Sequence, residues 1–167
     1  MSTRMSDLLA VGVIGSFSGE HLFLSNFYPA VVSFMGHLYP TVEHAYQAAK
    51  ADTQNERYRD IVRTTHYPGR AKALGKSLEA EGKLRKDWKE LNVGIMRALL
   101  EQKFQDGLLR AALLRTAPRS LIEGNYWHDN FWGVCTCRAC PACGDNKLGK
   151  LLMTLRAEYV GYERDWA

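Results

Sequence analysis

Hydrophobic and polar positions along this chain follow two different periods, and the change between them divides the sequence. From Val11 to Leu38, aromatic and β-branched residues are broken by Gly15, Gly19, Pro29 and Gly36, the pattern of short strands and turns. A small N-terminal β-element is predicted there. Beyond Pro40 the period becomes helical. Thr41 is placed to cap a helix running to about Ala51, with small alanines at 45, 48 and 49. Helices are predicted over about 54–65 and 69–76, separated by the breaker Tyr67-Pro68-Gly69. Asp87 is placed to cap a long helix ending near Phe104, whose stripe Leu84, Trp88, Leu91, Ile95 and Leu99 recurs every three or four residues. A helix over about 106–115, a short buried strand at Ser120–Glu123 and a final helix from about Asn146 complete the pattern. Residues 124–144 carry no period, and this irregular loop holds two tryptophans and all four cysteines of the chain.

Composition narrows the class. With 167 residues, 46% hydrophobic and 24% charged, the chain reads as one soluble domain over residues 1–167 with its core at about 14–160, α+β and mostly helical. No apolar run approaches the roughly 18 residues of a membrane span, and the stretch Leu8 to Ile14 lacks the basic leader of a signal peptide. The expected compartment is cytoplasmic. Charge is uneven: the net is +4, yet Arg57 to Lys89 alone carries ten Lys/Arg against four Asp/Glu. That segment reads as a solvated helical surface or as a face for a phosphate-bearing partner.

Four groups of residues could carry chemistry. Glu43, Tyr46, Gln47 and Lys50 fall at i, i+3, i+4 and i+7 on one helical stripe, with Val42, Ala45 and Ala49 on another. Glu43 is then a surface ion-pair partner or a carboxylate held rigidly at a cleft wall. In Trp127-His128-Asp129-Asn130-Phe131-Trp132, Asp129 lies between indoles, either capping a turn or acting as acid, base or cation stabiliser beside stacking surfaces. His128 reads as structural. Asn146, Lys147 and Lys150 open the last helix, where free N–H groups and cations could seat phosphate. Cys135, Cys137, Cys140 and Cys143 span nine residues and offer four thiolates to a structural zinc, or remain free thiols.

Taken in order, Phe23-Leu-Ser-Asn-Phe27, Tyr39-Pro-Thr-Val-Glu-His-Ala-Tyr46-Gln-Ala-Ala-Lys50, Arg70-Ala-Lys-Ala-Leu-Gly75, Leu84-Arg-Lys-Asp-Trp88, Met96, Lys103-Phe104, Phe131-Trp-Gly133 and Asn146-Lys-Leu-Gly-Lys-Leu-Leu-Met153 resemble the NADAR (YbiA-like) family. The resemblance implies a compact, largely helical α+β fold. It also implies N-glycoside cleavage, on phosphoribosylated riboflavin precursors or on ADP-ribosylated guanine. Position by position it implies Glu43, Trp88 and Asp129 as the catalytic core, and Asn26, Tyr46, Lys50, Trp132, Asn146 and Lys147 as the ligand-contacting wall. The cysteine-rich insert departs from the YbiA type, which has a glycine-rich loop there.

Cleaving a ribosyl C1′–N bond passes through an oxocarbenium-like state and calls for a carboxylate near C1′, a water and proton management, roles that Glu43 and Asp129 can divide without a cofactor. Two other readings compete. One is a non-catalytic ADP-ribose or nucleotide module using the same residues, and the other a zinc-stabilised nucleic-acid-binding protein tracking phosphates with Arg57 to Lys89. An ADP-ribosylated DNA or RNA substrate would join these pictures. No membrane partner is expected.

Overall fold

The computed structural model describes residues 12–141 and 143–165, with side chains as far as residue 161; Trp166 and most of the stretch Leu8 to Ile14 lie outside the described residues. In chain order the elements are β1 (Val13–Ile14), a 3-10 helix (Gly19–Leu24), β2 (Val32–Phe34), β3 (His37–Tyr39), α1 (Val42–Ala49), α2 (Glu56–Arg63), α3 (Pro68–Ala80), α4 (Trp88–Lys103), α5 (Gly107–Arg115), β4 (Ser120–Leu121), β5 (Gly124–Asn125), β6 (Val134–Cys135) and α6 (Lys147–Asp165). The α+β, mainly helical expectation holds. Among the described residues no helix is long and apolar enough to cross a membrane. Internal contacts group the chain into two compact units, one running from Asn26 to Asp106 and the other combining the segments before and after it.

In the Asn26–Asp106 unit, α1 is the central element, packed by α2, α3 and α4. Thr41 caps it as expected: its Oγ1 accepts the His44 N–H at 3.2 Å and sits 2.8 Å from His44 Nδ1. Burial lowers the His44 pKa, although the Thr65 carbonyl 3.3 Å from Nε2 opposes this. A neutral ring donating from Nε2 and accepting at Nδ1 satisfies every contact. All eight residues of α1 are buried, so the stripe read as polar does not face solvent. The buried face of α4 consists of Trp88, Met96, Leu99, Leu100 and Lys103, whereas Leu91 is exposed. Trp88 and Leu99 of the predicted stripe are thus buried and Leu84 and Ile95 half-buried, while the core side also takes in Met96, Leu100 and Lys103. Asp87 stands at the N-cap of α4 without a capping bond, its carboxylate being paired with Arg85 at 2.6 Å.

Arg59, one of the ten cations in the basic segment, is buried and donates to the carbonyls of Asp52 (2.9 Å) and Thr53 (2.6 Å), fixing the α1–α2 connection. Arg57, Arg70, Lys76, Lys86 and Lys89 are exposed.

The other unit rests on a two-residue parallel pairing of β1 with β4, Val13 opposite Ser120 and Ile14 opposite Leu121. The expected strand at Ser120–Glu123 thus ends after Leu121, where the chain turns to the second short pairing of β5 with β6. Leu148, Leu152 and Leu155 give α6 its buried side. Gly149 lets α6 lie against β4, since a Cβ there would fall 2.2 Å from the Leu121 carbonyl oxygen.

Candidate active site

Glu43 is the second residue of α1, 5% exposed, and its backbone N–H donates to the Asn26 carbonyl at 3.0 Å. That bond satisfies one of the unpaired donors at the helix start and ties Asn26 to it. One turn on, Gln47 Nε2 donates to Glu43 Oε1 at 2.7 Å. The amide cannot flip without setting its carbonyl against the carboxylate, so its orientation follows from the partner. Its Oε1 is consequently buried without a partner and lies on Gly75, where a Cβ would come within 1.7 Å of it. A buried unpaired carbonyl costs about 1–3 kcal/mol. Here that cost accompanies a fixed carboxylate.

Four further residues expected at the site lie in the same unit. Trp88 and Tyr46, both buried, stack with ring centroids 5.0 Å apart at 53°. Lys50, 8% exposed, lies 3.6 Å from Glu79; burial lowers its pKa, while Glu79 and Glu43 act to restore it. Asn26 directs its Nδ2 to the Met96 sulfur at 3.5 Å, a weak acceptor, and its Oδ1 is buried without a partner. An amide so poorly served at both ends is suited to a ligand's hydroxyl or amine.

In the other unit, the loop from β5 to β6 is organised by Asn125, which is 1% exposed. Its Oδ1 accepts the N–H groups of Trp127 (3.3 Å) and Asp129 (3.1 Å), and its Nδ2 donates to the Asp129 carbonyl at 2.7 Å. Asp129 is half-buried, and its Oδ1 accepts the Trp132 N–H at 2.9 Å, a local turn of the kind expected for aspartate. Trp132 meets Phe131 edge to face at 5.0 Å.

The start of α6 corrects one expectation. The N–H groups of Asn146, Lys147 and Leu148 are not open to phosphate: they donate to the carbonyls of Gly133 (3.3 Å), Phe131 (3.2 Å) and Trp132 (3.0 Å). Asn146 also commits its side chain to backbone, accepting from Glu123 N–H at 3.0 Å and donating to the Leu121 carbonyl at 2.9 Å. Lys147 lies over the Phe131 ring at 5.0 Å and 3.7 Å from Asp145. The loop carbonyls cap the helix, so this junction is a structural tie.

Three of the four cysteines come together with a histidine. His128, Cys135, Cys137 and Cys140, and not Cys143, bring one ligand atom each to within 4.8 Å of one another, a group able to hold a metal ion. Cys143 is exposed, next to a point where the chain is pinned: Asp145 N–H donates to the Asn130 carbonyl at 2.8 Å, and Gly144 lies against Gly133. Hydrogen bonding to the Cys135 sulfur, followed by burial, pushes the Cys140 thiol up to about 11. A separate cavity of about 650 Å³ in this unit lies between β1, the 3-10 helix, Arg119 and Tyr126, and none of the expected site residues lines it.

The NADAR domain model matches residues 16–159, which takes in parts of both units. The chain belongs to the NADAR family. Relatives include the N-glycosidase YbiA of Escherichia coli K12, 36% identical over 148 residues covering 86% of this chain and 84% of that protein. The N-glycosidase Npun_R5314 of Nostoc punctiforme is 36% identical, covering 80% and 83%. The riboflavin biosynthesis protein VVA0006 of Vibrio vulnificus is 35% identical over 83% of this chain but only 36% of that longer protein. The NMR structure of E. coli YbiA superposes with a TM-score of 0.71 at 34% identity, covering 89% of this chain and 83% of that one. Within this NADAR chain, sequence reasoning had no role for Asn125 or Gly75 and set His128 aside. The signals available were an asparagine closing a strand, a glycine inside a helix and a histidine beside the candidate carboxylate.

Proposed function

We propose that this chain is an N-glycosidase, a cytoplasmic hydrolase that cleaves the C1′–N bond of a phosphorylated ribosyl substrate. The observation that carries the reading is the buried Glu43–Gln47 pair at 2.7 Å, maintained although the Gln47 carbonyl is left unpaired. Such a local sacrifice is characteristic of functional sites. The names of the YbiA and Npun_R5314 relatives support the reaction type.

In this reading Glu43 faces the positive charge that develops at C1′ as the bond to nitrogen lengthens. Water adds at C1′, the bonding electrons leave with the base nitrogen, and a proton passes to that nitrogen. Gln47 holds the carboxylate in one rotamer, so little reorganisation is needed when charge appears. Trp88 and Tyr46 offer an aromatic surface to base or sugar, Asn26 an amide to ribose hydroxyls, and Lys50 a cation to phosphate. Asp129 is assigned the second carboxylate role and Trp132 a stacking role. Asn146 and Lys147 support the Phe131–Gly133 backbone. Bond cleavage is assigned no cofactor.

Of the two substrate classes, phosphoribosylated riboflavin-pathway pyrimidines are favoured by the name of the Vibrio relative. The exposed cations Arg57, Arg70, Lys76, Lys86 and Lys89 favour the second, ADP-ribosylated guanine in nucleic acid. Incubating the protein with each class and identifying products by mass tests the reading. Free base with a ribosyl product from either class supports it, and tight binding without any product replaces it with a reader.

A further inference from the structure

We infer that His128, Cys135, Cys137 and Cys140 form a structural zinc site that clamps the loop between β5 and β6, with Cys143 outside it. Zinc with bonds of about 2.3 Å to sulfur and 2.0–2.1 Å to nitrogen sets tetrahedral edges of roughly 3.8 Å for S···S and 3.5 Å for S···N. His128 Nδ1 lies 3.2 Å from Cys140 Sγ and 3.5 Å from Cys137 Sγ, close to those edges. All four ligand atoms fit within 4.8 Å, and the cysteines are free thiols, not disulfides.

The surrounding chain is built to present these groups. His128 has φ +65°, a left-handed conformation uncommon for a side-chain-bearing residue. It is held there because Asn125 Oδ1 takes the N–H groups on both sides, those of Trp127 and Asp129. Asn125 pairs with Cys135 across β5 and β6, which sets the histidine against the first cysteine. Asn130 Oδ1 accepts the Cys135 N–H at 2.9 Å, and its Nδ2 points to Cys140 Sγ at 3.6 Å, the kind of outer partner that orients metal ligands. Without an ion, three thiols and an imidazole crowd a loop with little apolar core. With zinc, the three thiols release their protons to solvent and one divalent cation faces three thiolates and a neutral imidazole.

The clamp stands or falls separately from hydrolysis, so its test reads metal and loop order, not turnover. The full chain, purified in the presence of zinc and passed through a desalting column, is analysed for metal content and by zinc-edge X-ray absorption. The result expected is about one zinc per chain with three sulfur and one nitrogen neighbours. Cys143→Ser retains that stoichiometry, and hydrogen exchange of residues 126–140 slows at least tenfold between chelated and zinc-loaded protein. Four sulfur neighbours, loss of zinc in Cys143→Ser, a folded chain that retains no zinc after purification in its presence, or exchange unaffected by zinc overturns it. The absorption measurement is made on the unaltered chain and so does not depend on whether any ligand variant folds.

Discussion

Gln47 hands its amide N–H to Glu43 at 2.7 Å and sets its own carbonyl oxygen, unpaired and buried, on Gly75. The two residues are one helical turn apart, on a helix with no solvent-facing side. A carboxylate in such surroundings keeps its geometry only if a donor fixes it.

Replacing Gln47 by Ala removes that donor but not the carboxylate. Turnover should fall about 10- to 100-fold, with substrate affinity changed far less, because Glu43 then samples unproductive rotamers. Steady-state kcat and KM on the substrate class that proves active separate this outcome from a simple loss of binding.

Gly75→Ala would place a methyl group 1.7 Å from Gln47 Oε1. Overpacking of this kind costs about 1–3 kcal/mol. Denaturant unfolding should show that loss in the single variant and a smaller loss when Gly75→Ala is made in a Gln47→Ala background, since the clashing oxygen is gone. Additive effects in this cycle would contradict the contact.

Lys103 gives the chain a pH signature. It is 2% exposed, with its Nζ 5.5 Å from the Tyr28 ring centroid and 5.3 Å from that of Phe104, and burial lowers its pKa to about 7 from 10.5. The unfolded chain therefore binds a proton between about pH 7 and 10.5 that the folded chain does not, and stability gains from this residue as pH rises through that window. Below about pH 7 both states are protonated and the full cost of burying the charge is present. Lys103→Met should stabilise most at pH 6, and the advantage should shrink as pH rises toward 10, by up to roughly tenfold in the folding equilibrium per pH unit. Equal stabilisation at both pH values would refute the assignment.

Asp129 holds Trp132 through its Oδ1, a contact that asparagine can keep and alanine cannot. Asp129→Asn should retain wild-type melting temperature and lose about 10²- to 10⁴-fold in rate if the charge is catalytic. Asp129→Ala should lose the same activity and, in addition, about 0.5–2 kcal/mol of stability, the usual worth of a side-chain-to-backbone cap. Full activity in Asp129→Asn would reduce this residue to its turn.

Most helices were legible because their periods and caps are local. Thr41 before α1 acts through its immediate neighbours, whereas Pro68, read as a breaker, is the first residue of α3, which runs to Ala80, beyond the expected end near 76. The stripe Glu43, Tyr46, Gln47 and Lys50 was legible for the same reason. That it is buried was not, since a polar stripe ordinarily faces water and only tertiary packing by α2, α3 and α4 reverses this. That Lys103 shares the buried side of α4 was not legible, because a hydrophobic count cannot place a lysine in the core. His128 was missed as a companion of the cysteines because Cys140 comes twelve residues later, and the β5–β6 pairing that brings them together is two residues long. That the N–H groups from Asn146 onward are already bonded was not legible for a related reason: the loop carbonyls that take them lie thirteen to sixteen positions upstream.

The central claim is that Glu43 is the carboxylate on which C1′–N cleavage depends. It is tested most directly by the single-turnover rate of base release, followed by mass, for wild type and Glu43→Gln on phosphoribosylated pyrimidine and on ADP-ribosylated guanine. The account predicts base release by wild type from at least one of these and a loss of about 10²- to 10⁴-fold in a Glu43→Gln variant of unchanged melting temperature. A folded Glu43→Gln protein releasing base at the wild-type rate would contradict it.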